Sequence, residues 1–158
     1  DRRQKKDKVL TYNVIGYLIG NDEKLKDEFV VIGGHYDTTA NAPGKINNGA
    51  DDNASGTSMV IELFEKFAAT NNHKRTLVFM AFGGEELGLL GSKYFVNNPT
   101  IDLEKVHLMV NLDMIGRMED NNVQLGGAAT AENFSSRLHP FLMEENVNVI
   151  EVGDGIFS

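Results

Sequence analysis

The sequence predicts an α/β domain with three α/β/α layers: a mostly parallel, mixed sheet covered by helices on both faces. Three observations carry this expectation. Apolar runs occur at Phe29 to Gly33 (FVVIG) and Thr76 to Phe82 (TLVFMAF), and an apolar-rich one at Val106 to Leu112 (VHLMVNL), all read as buried strands. Helical spacing alternates with these runs along the chain, the pattern of sheets sandwiched between helices. The chain has 158 residues, enough for one sizeable core, so a single domain over 1–158 is expected.

The elements follow in order. Tyr12 to Ile19 (YNVIGYLI) reads as a strand, and Gly20 to Asp27 as a polar turn. Phe29 to Gly33 is a short buried strand. Thr38 to Gly49, rich in Asn and Gly with one Pro, is a loop. Thr57 to Ala69 carries Met59, Val60, Leu63, Phe64 and Phe67 at the spacing of an amphipathic helix. Thr76 to Phe82 is a second apolar strand, and Leu87 to Val96 a short helix. Val106 to Leu112 is a third buried strand. Asn122 to Leu125 is a short strand, Ala131 to Glu145 a helix, and Val147 to Val152 a final strand. No repeat or low-complexity segment interrupts them.

Composition narrows the function classes. Apolar residues make up 41% and charged residues 24%, and the net charge is -8. That balance argues against a nucleic-acid partner, which rewards clustered basic residues. The one basic cluster, Arg2, Arg3, Lys5, Lys6 and Lys8, reads as a solvated end. With no cysteine in the chain, disulfides and thiolate metal sites are excluded, so a metal would rest on His and carboxylates. No run approaches the ~18 apolar residues of a membrane span.

Chemistry is expected beyond the carboxyl ends of the strands, where α/β sheets bind ligands. Three apolar runs lead there into acids or His. FVVIG precedes Gly34-His35-Tyr36-Asp37, TLVFMAF precedes Gly83-Gly84-Glu85-Glu86, and VHLMVNL precedes Asp113. A Gly-rich loop adds Asp51-Asp52-Asn53 before the first helix. Taken singly, Asp113 reads as a cap or loop residue, while Asp51, Asp52, Glu85 and Glu86 read as first-turn helix charges. Together they crowd carboxylates at one sheet edge, where a shared divalent cation would compensate their desolvation. Gly83 and Gly84 permit an irregular turn that brings neighbouring side chains into one cleft.

In this order, GGHYDT, GADDNASG, GGEELGLLGS and NLDMIG resemble the motifs of the double-zinc aminopeptidase family. That family includes bacterial leucyl aminopeptidases, aminopeptidase Y and glutamate carboxypeptidase, with glutaminyl cyclase and the transferrin receptor as distant relatives. The resemblance runs from about Asn13 to the chain end. It implies a zinc-exopeptidase fold and release of N-terminal residues from a peptide with a free N-terminus. By position, it implies that His35 and Asp113 bind one zinc, Asp52 bridges two, Glu86 binds the second, and Glu85 is the general base. Asp37 would hold the imidazole in its ligating tautomer. Asp51 competes with Asp52 as the bridging acid; the match favours Asp52. A cis peptide is implied after the bridging acid, at Asp52–Asn53. Exposed Arg117 and Glu119 are further candidates for substrate contact. An exported, periplasmic or extracellular, location is also implied.

The family completes its second zinc site with a His in a Ser-Asp-His segment, whereas this chain stops at Gly155-Ile156-Phe157-Ser158. His107 lies six residues before Asp113 on one strand, roughly 20 Å away at ~3.3 Å per residue. His73 sits at the opposite end of its strand, and His139 is in a helix. None replaces the missing ligand. Two zinc ions are expected in a longer protein, with one or none and impaired activity in this chain, which would lack parts at both ends. Three alternatives are a carboxypeptidase, a glutaminyl cyclase and a non-catalytic ectodomain. The first wants a basic pocket and the second should not need His35; the third usually lacks ligands that are present here. The sequence leaves the oligomeric state open.

Overall fold

β3 (Thr76–Phe82) organises the structure, because its side chains alternate between two apolar faces. In a computed structural model describing residues 10–41, 43–130 and 132–153, Leu77 and Phe79 pack on one face with Ile32 and Val60. Val78, Met80 and Phe82 pack on the other with Val31 and Phe95. Val78 and Met80 are fully buried. The first face is covered by α1 (Gly56–Thr70), whose Val60, Leu63, Phe64 and Phe67 lie at helical spacing. Phe64 meets Phe79 edge to face, with ring centroids 5.2 Å apart. The second face is covered through Phe95 of α2 (Leu90–Asn97). The expected three layers are present.

The sheet is mixed, in the order β1-β3-β2-β4. β1 (Val14–Leu18) runs antiparallel to β3, while β2 (Phe29–His35) runs parallel to β3 and to β4 (Val106–Asn111). His35 pairs with Phe82 and Gly33 with Asn111. The carboxyl ends of β2, β3 and β4 therefore meet at one edge, and the loops after them carry the acids.

One boundary and one burial pattern depart most from the sequence expectation. α2 starts at Leu90 rather than Leu87, because Gly88 (φ 102°) and Leu89 (φ 62°) hold a left-handed turn. β4 is half-exposed rather than buried: Val106, Leu108 and Val110 face inward, while His107, Met109 and Asn111 face outward. It is an edge strand among the described residues, and Val106 of its inward row packs against the core.

The chain groups into two compact units that divide between Gly116 and Arg117. In the second, β5 (Asn122–Gly126) pairs in parallel with β6 (Asn148–Val152), and α3 (Phe134–Glu144) connects them. α3 begins after Asn133, which is left-handed at φ 58°. The basic cluster at 1–9 and the segment Gly155–Ser158 lie outside the described residues. No helix among those residues is long and apolar enough to cross a membrane.

Candidate metal centre

His35 ends β2 with its side chain 2% exposed. Its Nδ1 lies 3.0 Å from the Asp37 carbonyl oxygen. A carbonyl can only accept, so Nδ1 carries the proton and the lone pair of the neutral ring sits on Nε2. That nitrogen faces Asp52 Oδ1 at 3.2 Å, Asp113 Oδ1 at 3.3 Å and Glu85 Oε2 at 3.9 Å. An acceptor nitrogen aimed at carboxylates is repelled unless a proton or a cation lies between them. Burial opposes protonation most strongly, but the charges of Asp113 and Glu85 and the hydrogen bonds of Asp113 and Asp37 outweigh it. The pKa of His35 is held above the ordinary imidazole value.

β3 leads into the turn that presents Glu85 and Glu86, with Gly84 at φ 73°. Asp37 fixes this turn: its Oδ1 accepts the Glu85 N–H at 3.0 Å and its Oδ2 the Glu86 N–H at 3.2 Å. The same residue therefore orients His35 through its backbone and the Glu pair through its carboxylate. Its Oδ1 stands 3.8 Å from His35 Nδ1, so the carbonyl is the nearer partner of the ring. On the opposite side, Asn13 accepts the Gly83 N–H at 3.2 Å and donates to the Gly91 carbonyl at 2.8 Å.

Glu86 turns inward, and its buried Oε1 has no hydrogen-bond partner. Desolvation first, and then the charges of Asp52 and Glu85, raise its pKa above the ordinary carboxylate value. An orphaned buried carboxylate oxygen is costly and calls for a compensating partner.

Asp52 lies in an irregular wide turn, Ala50–Ser55, that enters α1. The Asp52–Asn53 peptide is cis, and both residues have non-helical dihedrals. Asn53 is 2% exposed and makes four hydrogen bonds. Its Nδ2 donates to the carbonyls of His35 (3.2 Å) and Leu112 (2.9 Å), and its Oδ1 accepts from Gly56 (3.0 Å) and Met114 (3.2 Å). Thr57 Oγ1 also donates to the His35 carbonyl, at 2.8 Å. There is no room for a side chain at Gly56, where a Cβ would overlap the Leu112 carbonyl and the Asn53 amide.

His35, Asp52 and Glu86 each offer one ligand atom, all within 4.8 Å of one another. Asp113 and Glu85 join this group through His35. Asp51 is turned elsewhere: its Oδ1 accepts the Gly116 N–H at 2.9 Å. The donor set of one imidazole and several carboxylates, one with an orphaned oxygen, fits a divalent cation such as zinc. His73 and His107 have other partners. His73 packs near Phe67 and lies 3.1 Å from the Ile19 carbonyl. His107 meets Glu28 at 3.1 Å, and His139 belongs to α3. Arg117 and Glu119 fall in the second unit.

The profile of Peptidase family M28 matches residues 13–151. The chain belongs to this family. Among curated relatives, aminopeptidase YwaD of Bacillus subtilis (strain 168) is 37% identical over 105 residues, covering 66% of this chain and 22% of its own length. A probable leucine aminopeptidase of Trichophyton verrucosum is 33% identical over 146 residues, covering 85% of this chain and 36% of its own. The M28 chain thus spans only about a fifth to a third of these relatives. The solved aminopeptidase from Aneurinibacillus sp. strain AM-1 superposes with a TM-score of 0.69 at 26% identity, over 90% of this chain and 34% of its own. LapB from Legionella pneumophila gives the same TM-score at 25% identity, over 90% and 38%.

Sequence reasoning passed over Asn53, Ser55, Thr57 and Asn13. Nothing in hydrophobic periodicity distinguishes a buried polar side chain from an exposed one. For Asn53, Ser55 and Thr57 the one signal was position, next to the acids at 51 and 52; Asn13 carried none.

Proposed function

We propose that this chain carries most of a zinc-dependent aminopeptidase centre that hydrolyses the first peptide bond of a substrate with a free N-terminus. The observation that carries the reading is the His35 Nε2 lone pair aimed at carboxylates, with Asp52 and Glu86 donors within 4.8 Å. His35 and Asp113 would hold one zinc, Asp52 would bridge, and Glu86 would hold a second. Zinc supplies an acidified water and a polarised scissile carbonyl when bound.

The residues of the chain do the rest. Glu85, at 3.9 Å the farthest of the three carboxylates that face His35 Nε2, would accept the water proton and pass it to the leaving amine. Asp37 keeps His35 Nδ1 protonated and the Glu85–Glu86 turn in place, so both neighbours are preorganised. The excess of carboxylates attracts the α-ammonium group of the substrate and disfavours a free carboxylate at the same position.

The test is zinc titration of the chain together with hydrolysis of leucyl-anilide and of its N-acetylated form. Binding that is lost in His35→Ala and Asp52→Asn, with release only from the free amine, is the expected result. Equal zinc binding by wild type and both variants would sink the assignment.

A further inference from the structure

The loop after Asp113 has three successive backbone N–H groups, and each ends on a side chain of the segment around Asp52. Met114 N–H donates to Asn53 Oδ1 at 3.2 Å, Ile115 N–H to Ser55 Oγ at 3.1 Å, and Gly116 N–H to Asp51 Oδ1 at 2.9 Å. Ser55 Oγ in turn donates to the Asp51 carbonyl at 2.6 Å, which fixes its direction as an acceptor for Ile115. Asn53 also reaches the Leu112 carbonyl, so the residues on both sides of Asp113 are held. At Gly116 a Cβ would stand 2.9 Å from Asp51 Oδ1 and 3.1 Å from Ser55 Cβ, so a side chain there would displace Asp51 or Ser55.

We infer that Asp51, Asn53 and Ser55 are positioning residues that set the distance between the carboxylates of Asp52 and Asp113. Met114 is left-handed at φ 52°, so the loop departs from extended geometry at once and depends on side chains to receive its N–H groups. Asp52 sits between Asp51 and Asn53 in the chain, so any shift of that segment moves both acids together. Losing one bond lets Asp113 drift relative to Asp52 and to His35 Nε2, which both now approach at 3.2–3.3 Å. Outer hydrogen bonds that orient ligands are worth about 10- to 100-fold in metal affinity. The inference rests on the reading of His35, Asp52, Glu86 and Asp113 as a metal centre.

Zinc and cobalt(II) titrations of the metal-free chain test it, with unfolding of each metal-free variant followed in parallel. Ser55→Ala removes the acceptor for Ile115 and is expected to weaken zinc affinity about 10-fold or more. It should also alter the visible absorption of bound cobalt(II), which reports ligand geometry. Ser55→Thr keeps the hydroxyl and should restore most of both. Asn53→Asp keeps the acceptors but places an oxygen against the His35 and Leu112 carbonyls, so a larger loss is expected. If Asn53→Asp does not fold, the Ser55 pair decides alone. Zinc affinity and a cobalt spectrum unchanged in Ser55→Ala, with only the unfolding midpoint lowered, would overturn the inference. A wild-type chain that binds neither metal would instead overturn the reading that this chain holds a metal by itself, and the inference with it.

Discussion

Asp37 Oδ1 accepts the backbone N–H of Glu85 at 3.0 Å. The carboxylate end of one sequence motif is thereby bonded to the backbone of another, 48 residues further on. β2 and β3 are parallel neighbours that end together at His35 and Phe82, so the contact follows from strand register.

Removing that carboxylate separates two effects. In Asp37→Ala the backbone carbonyl still receives His35 Nδ1, so the ligating tautomer persists. The N–H groups of Glu85 and Glu86 lose their shared acceptor. The expected outcome is a fall in kcat of about 10- to 100-fold, with a smaller change in zinc affinity. Steady-state kinetics beside metal titration checks it.

Glu85→Gln tests the division of labour within the acidic pair. Its carboxylate is not among the three ligand atoms that cluster most closely. Zinc stoichiometry should hold while hydrolysis falls about 10²- to 10⁴-fold, the usual contribution of a general base. Glu86→Gln should do the opposite and lower zinc binding first. Metal content of the purified variants separates the two.

The fold was legible where burial is two-sided. TLVFMAF and FVVIG are apolar throughout because helices cover both of their faces, and Val60, Leu63, Phe64 and Phe67 announce α1 by spacing alone. VHLMVNL was read as buried yet forms a half-exposed strand, and its polar His107 and Asn111 fall on the outward row with Met109, the period-2 signal of one solvated face that the reading passed over. The ligand candidates were legible as acids after strands. The choice of Asp52 over Asp51 rested on the family match alone, because the segment is neither helix nor strand and has no period to assign faces. The structure turns Asp51 to Gly116 and Asp52 to His35.

Stability should depend on the two-faced strand more than on the centre. Met80 is fully buried in β3 beside Val31, Val78 and Phe82. Met80→Ala is expected to cost about 2–5 kcal/mol through lost burial and the cavity left behind. A lowered denaturant midpoint at unchanged slope would show it. Loss of cooperativity instead would mean that the unit no longer folds as one.

Protons and zinc should compete at His35 and Glu86. Both groups hold protons more tightly in the metal-free fold than in the unfolded chain, since both pKa values are raised. The native state then binds more protons than the unfolded one, so stability falls as pH rises. For Glu86 the loss begins near its ordinary value of 4.5 and continues to its higher folded value. For His35 it begins near 6.5 and continues upward in the same way. A ligand-competent centre needs neutral His35 and ionised Glu86, so zinc affinity rises across the same windows. Metal-free chain should therefore lose thermal stability from pH 5 to 8 relative to His35→Ala, while the increment given by saturating zinc grows. Melting curves at several pH values, with and without zinc, measure both. A zinc increment that shrinks as pH rises through the His range would contradict the placement of protons at these two residues.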